Sequence, residues 1–321
     1  MKTSVIEKAK KIIDERRFNA ENIAVSNKIE ALKDGTFKQL YQDYTAKMID
    51  YSRQGRELPK EVKAEKSKYL KRLEEIGVGS IEPNYSCKKC NDTGYIDGLY
   101  CACLVREINN TLKQESGFDK LEDFDKTDFS IFENADFMKK LYQKMKEWCH
   151  SKFDKTLIYI AGDTGVGKTH LIKCMANELI KLSHVVLLTS SFAMHQDFVK
   201  SYSTRDLDEK SNLLDRYLNS EILFIDDLGT ELRQPNITIN YLYQVINERK
   251  MKRLPTVITS NLDLYEIKDY YDERISSRII DKASSICVYV KGKDIRLNQK
   301  NNWLFIGMLI GKAKFIVIIN I

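Results

Sequence analysis

The first 86 residues place their apolar side chains at helical intervals. One seam advances by alternating steps of four and three residues, which lines one face of a helix, and it consists of Phe37, Tyr41, Tyr44, Met48 and Tyr51. Gly55 and Pro59 interrupt this pattern. A second helical run then ends at Gly77, a residue suited to ending a helix, and its apolar members are Val62, Tyr69, Leu73 and Ile76. The pattern predicts a helical hairpin, and the aromatic seam is also a candidate docking surface for a partner protein.

From residue 135 onward, helical stretches alternate with short apolar runs, which is typical of a parallel sheet covered by helices on both faces. Five runs are predicted as strands: TLIYIA, HVVLLTS, EILFID, PTVITS and SSICVYV. The predicted division is a helical, metal-binding region at 1–110, a linker at 111–134, an α/β domain at 135–300 and an atypical apolar tail at 301–321.

Composition adds three constraints. With 321 residues, 43% of them hydrophobic, the chain can bury the cores of two domains. Its formal net charge is +6, but acidic and basic side chains nearly balance between residues 156 and 300, so DNA contact there requires local patches. The start, MKTSVIEKAKKIIDERRF, has no apolar stretch typical of a secretion signal, and we therefore expect a cytoplasmic protein with reduced thiols.

Four of the seven cysteines lie in CKKCNDTGYIDGLYCAC, residues 87–103. Reduced thiolates in a C-x2-C pair can close on one side of a zinc ion, and Gly94 and Gly98 let the chain return for the second side. The C-x-C spacing of the second pair is one residue tighter than usual. The pattern predicts a structural Zn²⁺ site, with four unrelated cysteines as the alternative, and its ligands are Cys87, Cys90, Cys101 and Cys103. The isolated Cys149, Cys174 and Cys287 are predicted to be small core side chains.

The segment GDTGVGKT, residues 162–169, follows the first predicted strand and opens a helix. In this setting it is a phosphate loop, whose glycines let successive N–H groups face the phosphates of ATP. Lys168 is expected to contact the β- and γ-phosphates, and Thr169 to bind Mg²⁺. The predicted nucleotide contacts are Gly162, Asp163, Thr164, Gly165, Val166, Gly167, Lys168, Thr169 and His170.

Two later segments supply polar groups at strand ends. ILFIDDLGTE carries Asp226, expected to hold Mg²⁺, and Asp227, expected to polarise the attacking water. Because aspartate is one methylene shorter than the glutamate common at the second position, we expect slow ATP hydrolysis. Asn261, at the end of the next strand, is predicted to orient the same water.

The segment DERISSRIID carries Arg274 and Arg278 four residues apart, on one helix face. An arginine can neutralise charge that develops on a transferred phosphoryl group, including one bound to a neighbouring subunit. The alternative is a solvated pair bridged to Asp272 and Glu273.

The order of these motifs resembles that of the bacterial replicative helicase loaders of the DnaC/DnaI type. It comprises the cysteine cluster, GDTGVGKTHL, IDDLGTE, TSNL, ERISSRI and GKDIR, from about residue 85 to 297. The resemblance implies an AAA+ P-loop ATPase with a five-stranded parallel sheet, preceded by a helical and zinc-knuckle N-terminal domain. It also implies that Arg278 is an arginine finger and that Arg296 is a second sensor.

The same resemblance implies three partners: a hexameric replicative helicase held by the N-terminal region, single-stranded DNA, and further copies of the ATPase domain. ATP then serves as a timing switch for loading. A transposition helper ATPase of the IstB type shares the motor and is the main alternative. A zinc adaptor that binds nucleotide without hydrolysing it is another.

Two segments are candidates for contact with single-stranded DNA, although each also fits an ordinary solvated helix face. The first contains Phe198, Lys200, Tyr202 and Arg205, and the second contains Arg249, Lys250, Lys252 and Arg253. The tail WLFIGMLIGKAKFIVIINI departs from the loader pattern. Because Lys312 lies near its centre, no membrane partner is expected. A disrupted reading frame or late divergence is favoured as the origin of the tail, and a strand added to the sheet edge is a further alternative.

Overall fold

The computed structural model describes residues 2–54, 59–116, 118, 120–298, 303–310 and 313–320. The chain divides into two compact units, one of residues 6–107 and one of residues 1–5 with 108–321. The helices are α1 (Lys2–Ala31), α2 (Gly35–Arg53), α3 (Lys60–Glu75), α4 (Ala102–Ser116), α5 (Ala135–Cys149), α6 (Lys168–Lys181), α7 (Ser191–Ser203), α8 (Leu207–Leu218), α9 (Asn240–Met251), α10 (Glu266–Tyr270), α11 (Glu273–Ile279) and α12 (Ile295–Asn298). The strands are β1 (Tyr95–Ile96), β2 (Leu99–Tyr100), β3 (Leu157–Gly162), β4 (Val186–Ser190), β5 (Ile222–Leu228), β6 (Thr256–Ser260), β7 (Ser285–Val290), β8 (Trp303–Ile310) and β9 (Ala313–Asn320).

The predicted helical hairpin is confirmed. Helices α2 and α3 bury a shared cluster whose aromatic centre joins Phe37 to Tyr69, with ring centroids 6.1 Å apart, and Tyr44 to Tyr69, 5.2 Å apart. Helix α2 begins after Asp34, whose carboxylate accepts a hydrogen bond from the backbone N–H of Phe37, as an N-cap should. Met48, by contrast, is exposed. Gly55 lies outside the described residues.

All five predicted strands of the second unit are confirmed, with ends within two residues of the predicted ones. They form one sheet in the order β4-β5-β6-β3-β7, and every neighbouring pair is parallel. This is the five-stranded parallel sheet of the predicted AAA+ P-loop fold. Strand β3 is buried along its whole length, because it has a neighbour on each side and helices cover both faces. The carboxyl ends of β3, β5 and β6 meet at one edge of the sheet.

The segment that was predicted as a linker, 111–134, has structure of its own. Its first six residues continue helix α4, because Leu104, Ile108 and Leu112 recur every four residues and are all buried. Two short 3-10 helices follow, and the ring of Phe124 packs edge-on against that of Tyr142, with centroids 6.0 Å apart. This segment therefore contributes to the core of the second unit.

The tail forms a hairpin in which β8 and β9 pair in antiparallel register from Trp303 opposite Asn320 to Ile310 opposite Ala313. These strands make a separate two-stranded sheet and are not added to the edge of the five-stranded one. Lys312 lies outside the described residues. None of the described helices combines the length and the apolar character that crossing a bilayer requires.

Candidate nucleotide and metal sites

The phosphate loop lies between the end of β3 and the start of α6, and close packing restricts two of its positions to glycine. A Cβ atom on Gly162 would lie 2.2 Å from the carbonyl oxygen of Val290. Gly167 has φ +93°, and its Cβ would lie 2.7 Å from the ring of Phe132. Any other residue at either position would displace its neighbour. Gly167 directly precedes α6, so the loop ends at the positive end of that helix.

Lys168 is buried, and its ammonium group donates three hydrogen bonds of 2.7 Å each. The acceptors are the carbonyl oxygens of Gly162 and Asp163 and the side-chain oxygen of Asn261. Burial lowers the pKa of Lys168, while the charges of Asp227 and Asp226 oppose that effect. The predicted phosphate-binding lysine and the predicted water-orienting amide, 93 residues apart, are therefore in direct contact.

Asp226 lies at the end of β5 and receives two hydroxyl groups on one oxygen. Its Oδ1 accepts hydrogen bonds from Thr169, at 3.2 Å, and from Thr259, at 2.5 Å. Burial raises the pKa of Asp226, whereas the Thr259 hydrogen bond lowers it. The donor set at this point, a threonine hydroxyl and a carboxylate, is the hard oxygen chemistry that Mg²⁺ prefers.

Asp227 occupies a bulge, where the pairing of β5 with β6 shifts between Ile225 and Leu228. Its backbone is left-handed, with φ +54°. Its carbonyl oxygen accepts hydrogen bonds from Ser191, at 2.7 Å, and from Thr230, at 2.8 Å. The bulge gives two consecutive acids different surroundings: Asp226 is buried, and Asp227 lines a cavity.

That cavity has a volume of about 230 Å³, and it is lined by residues of the phosphate loop, of helices α6 and α12, and of the ends of β5 and β6. Its lining residues are Thr164, Gly165, Gly167, Lys168, Thr169, His170, Asp227, Asn261, Ile295 and Arg296. Two residues predicted as nucleotide contacts direct their side chains away from this cavity, so only their backbone N–H groups can serve the predicted role. The side chain of Val166 is buried in the core, and the carboxylate of Asp163 accepts a hydrogen bond of 3.2 Å from the hydroxyl of Tyr289.

Residues 103–302, more than half of the chain, match the family described as IstB-like ATP binding protein. The chain belongs to this family. Among its relatives, the uncharacterized protein YqaM of Bacillus subtilis is 30% identical over 213 residues, 62% of this chain and 66% of YqaM. The phage-like element PBSX protein XkdC of the same organism is 26% identical over 238 residues, 67% of this chain and 86% of XkdC.

The resemblance to helicase loaders is also confirmed. The replicative helicase loader DnaI of Bacillus subtilis is 26% identical over 114 residues, which is 36% of this chain and 36% of DnaI. The match with the IstB-like family begins at Cys103 and so omits the other three clustered cysteines. The matching family is named after IstB, the type of ATPase that is the main alternative to a loader. A replicative helicase loader, DnaI, is nevertheless among the relatives.

Two residues of this IstB-like site were not predicted from the sequence, Thr259 and Ser260. Thr259 contacts Asp226, and its hydroxyl also accepts a hydrogen bond of 2.9 Å from the backbone N–H of Asp227. The hydroxyl of Ser260 donates to the carbonyl oxygen of Leu228 at 2.6 Å. Both are fully buried. Their one visible signal is that two hydroxyl side chains follow Val257 and Ile258 at the end of the strand.

The two predicted arginines occupy different places. Arg296 lines the nucleotide cavity, and its guanidinium donates to both carboxylate oxygens of Asp294, at 2.9 and 2.7 Å, which raises the pKa of Arg296. Arg278 is not among the residues that line this cavity. It lines a separate surface cavity of about 790 Å³ together with residues of α9 and α10.

The four clustered cysteines converge, and all their sulfur atoms lie within 4.8 Å of one another. The Sγ atoms of Cys87 and Cys101 are 3.8 Å apart, and those of Cys90 and Cys103 are 3.4 Å apart. Four sulfurs at about 2.3 Å from a tetrahedral zinc ion are about 3.8 Å from one another. The cluster therefore fits Zn²⁺.

Backbone contacts hold this knuckle in shape. The buried carboxylate of Asp92 accepts hydrogen bonds from the N–H groups of Ser86, at 2.7 Å, and of Cys87, at 2.8 Å.

Burial raises the pKa of Cys101 and of Cys103, so thiolates at those positions need the charge of a cation. At Cys90 burial is outweighed by hydrogen bonds from Gly94 and the other thiols, and the pKa is lowered to about 7.

Burial removes some residues from the candidate DNA surfaces. Phe198 is 1% exposed and stacks on Tyr241, with centroids 5.3 Å apart, so it is not available to a base. Arg249 is 0% exposed. Tyr202 and Arg205 are exposed, while Lys200 pairs with Glu209 at 2.7 Å.

The isolated cysteines differ from the prediction at one position. Cys149 and Cys174 are core side chains, as expected. Cys287 is exposed, because β7 is an edge strand and alternate side chains of its middle face outward.

Proposed function

We propose that this IstB-like protein loads a hexameric replicative helicase onto single-stranded DNA in the cytoplasm, with ATP binding and hydrolysis as the switch. The observation that carries the ATP-dependent part is the convergence of Lys168, Asn261 and the Asp226–Asp227 pair at one edge of the sheet. The similarity to a named replicative helicase loader supports the choice of helicase as the partner.

In this proposal each polar group has a distinct task. The backbone of the phosphate loop and the ammonium of Lys168 bind the phosphates, and Lys168 exchanges its carbonyl contacts for phosphate oxygens. Thr169 and Asp226 would hold Mg²⁺, which supplies positive charge to the phosphates. Asp227 accepts a proton from the attacking water, and Asn261, released from Lys168, orients that water. Arg296 gives a second positive charge at the rim of the cavity.

The unit of residues 6–107 is the proposed helicase-binding part. Helix α1 exposes Phe18, Val25 and Ile29. Val25 lies seven residues after Phe18 and Ile29 lies eleven residues after it, so all three are on one helix face. At the tip of the knuckle, Leu99 is 74% exposed. Apolar side chains repeated along one exposed face are typical of protein-binding surfaces. The zinc ion would stabilise the knuckle, which has few large apolar residues of its own.

The family description favours a second candidate, an ATPase that assists transposition. Both candidates use the same motor, and they differ in the protein that the N-terminal unit binds. The relative from a phage-like element is compatible with either of them.

Co-purification with hexameric helicases, with and without ATP, tests the proposal. We expect a complex with one of them, and we expect it to weaken when Phe18 and Val25 are both replaced by Ser. As a control, Leu207 and Met251, which are even more exposed on the ATPase unit than Phe18 and Val25 are on theirs, are replaced by Ser and leave the complex intact. Capture of a transposase and of no helicase would exclude the loader function.

A further inference from the structure

Arg278 is held against helix α9 by neutral groups. Its Nε donates to the side-chain oxygen of Asn247 at 2.7 Å, and its Nη2 donates to the hydroxyl of Tyr243 at 2.8 Å. The guanidinium carbon also lies 4.6 Å from the centre of the Tyr243 ring. Two side chains one helical turn apart thus fix both the plane and the direction of this guanidinium.

The neighbouring Arg274 differs from Arg278 in its charge partners. Its guanidinium also packs on the Tyr243 ring, at 4.9 Å, but it forms an ion pair with Asp272 at 2.8 Å. In the described part of the chain, no carboxylate forms an ion pair with Arg278, whose other acceptors are the carbonyl oxygen of Arg274 and the hydroxyl of Ser277. The positive charge of Arg278 therefore remains available to an anion.

Helix α9 is a rigid support for this arrangement. The buried guanidinium of Arg249, on the same helix, makes five hydrogen-bond contacts of 2.8–2.9 Å with two neighbouring segments, 217–220 and 255–256. Its acceptors are Tyr217, Ser220, Pro255 and Thr256. Tyr243 and Asn247 are thus attached to a helix that is fixed to the core, and Arg278 lies at the edge of the open 790 Å³ cavity.

We propose that Tyr243 and Asn247 are positioning residues that pre-orient Arg278 toward the nucleotide of a neighbouring copy. This inference rests on the proposed ATPase function and on self-association. A free arginine side chain would lose rotamer entropy each time it entered a neighbouring site. Holding it beforehand lowers that loss and raises the rate of hydrolysis without a change in nucleotide affinity.

Mixtures of two inactive variants test this inference. Lys168→Ala chains lack a working phosphate loop but retain Arg278, whereas Arg278→Ala chains retain the loop. If Arg278 acts on the neighbour, mixing them restores ATP hydrolysis. We expect Tyr243→Phe or Asn247→Leu in the Lys168→Ala chain to reduce the restored rate about fivefold or more, with unchanged KM. The same changes in the Arg278→Ala chain should have no effect.

Two further variants separate positioning from general packing. Asn247→Gln keeps an uncharged amide that can accept from Nε and should preserve the restored rate. Tyr241→Phe, a matched change on the same helix where the ring stacks on Phe198, should also preserve it. If Tyr243→Phe and Asn247→Leu leave the restored rate unchanged, or reduce it equally in the Lys168→Ala and the Arg278→Ala chain, the positioning role of Tyr243 and Asn247 is overturned. The proposed ATPase function is unaffected by that result. If mixing the two variants restores no hydrolysis, Arg278 does not act on a neighbouring copy, and the positioning role is excluded as well.

Discussion

The hydroxyl of Thr259 connects both acids of β5, because it donates to Oδ1 of Asp226 at 2.5 Å and accepts from the backbone N–H of Asp227 at 2.9 Å. One side chain on the neighbouring strand thus sets the orientation of the proposed magnesium ligand and the geometry of the bulge that presents Asp227.

Replacement of Thr259 by Val keeps the shape of the side chain and removes its hydroxyl. A hydrogen bond to a charged group contributes about 1.5–3 kcal/mol. We therefore expect the magnesium concentration needed for half-maximal nucleotide binding to rise roughly tenfold or more, measured by titration with a fluorescent ATP analogue. Thr259→Ser keeps the hydroxyl and serves as the control. Identical magnesium dependence in the Val variant would exclude this role.

Replacement of Asp227 by Glu should raise the steady-state rate of ATP hydrolysis. The extra methylene extends the carboxylate farther into the cavity that Asp227 already lines, nearer to the water it is proposed to polarise. Asp227→Asn removes the base and should reduce the rate by about a hundredfold. Phosphate release measures both. A Glu variant no faster than the natural protein would refute the proposed geometry.

The cysteine cluster should bind one zinc ion per chain, as measured by elemental analysis of the purified protein. Cys90→Ser, or removal of the metal by a chelator, should unfold the unit of residues 6–107, because structural zinc contributes on the order of 10 kcal/mol to such sites. Cys287→Ser lies in the other unit and should change neither zinc content nor stability. If the N-terminal unit of the metal-free protein stays folded and unfolds in the same cooperative transition as that of the zinc-bound protein, the prediction is contradicted.

The helical hairpin should lose stability in acid through Asp34. A bidentate interaction with Arg72, at 3.0 and 2.6 Å, and the N–H of Phe37 lower the pKa of Asp34 to about 2. Because the unfolded value is higher, this stabilisation is present above pH 3.8 and disappears as the pH falls toward 2.

Asp34→Asn tests that dependence, since asparagine is an equally good N-cap but carries no charge. We expect urea unfolding followed by circular dichroism to show a smaller loss of stability between pH 4 and pH 2 in this variant. Arg72→Gln should reproduce the effect, and the double variant should add little to either. A parallel pH dependence in all of these proteins would show that the pair does not contribute.

Features that depend on contiguous residues were predictable. The phosphate loop needs only a strand, a glycine-rich turn and a helix in succession, and residues 157–181 provide them in that order. The four cysteines lie close together in the chain, between residues 87 and 103, and the structure brings their sulfurs together. The buried strands were predictable because β-branched and aromatic runs of that length satisfy a two-sided sheet.

Contacts between distant segments were not predictable in the same way. Lys168 meets Asn261, and Thr259 meets Asp226, because β3, β6 and β5 are adjacent in the sheet, an order that strand patterns do not specify. Arg249 and Phe198 looked like candidates for DNA binding and are core residues, since burial of a side chain depends on what packs over it.

The amino-acid sequence by itself determined which segments form the five-stranded sheet and the helical hairpin, and which atoms can bind phosphate and zinc, because local backbone preferences and side-chain chemistry act within a few residues. Tertiary structure alone decided which of those atoms meet, which arginine keeps an available charge and which hydroxyl orients the acids. Those outcomes depend on strand order, on a bulge and on burial, and each of them arises only when segments far apart in the chain pack together.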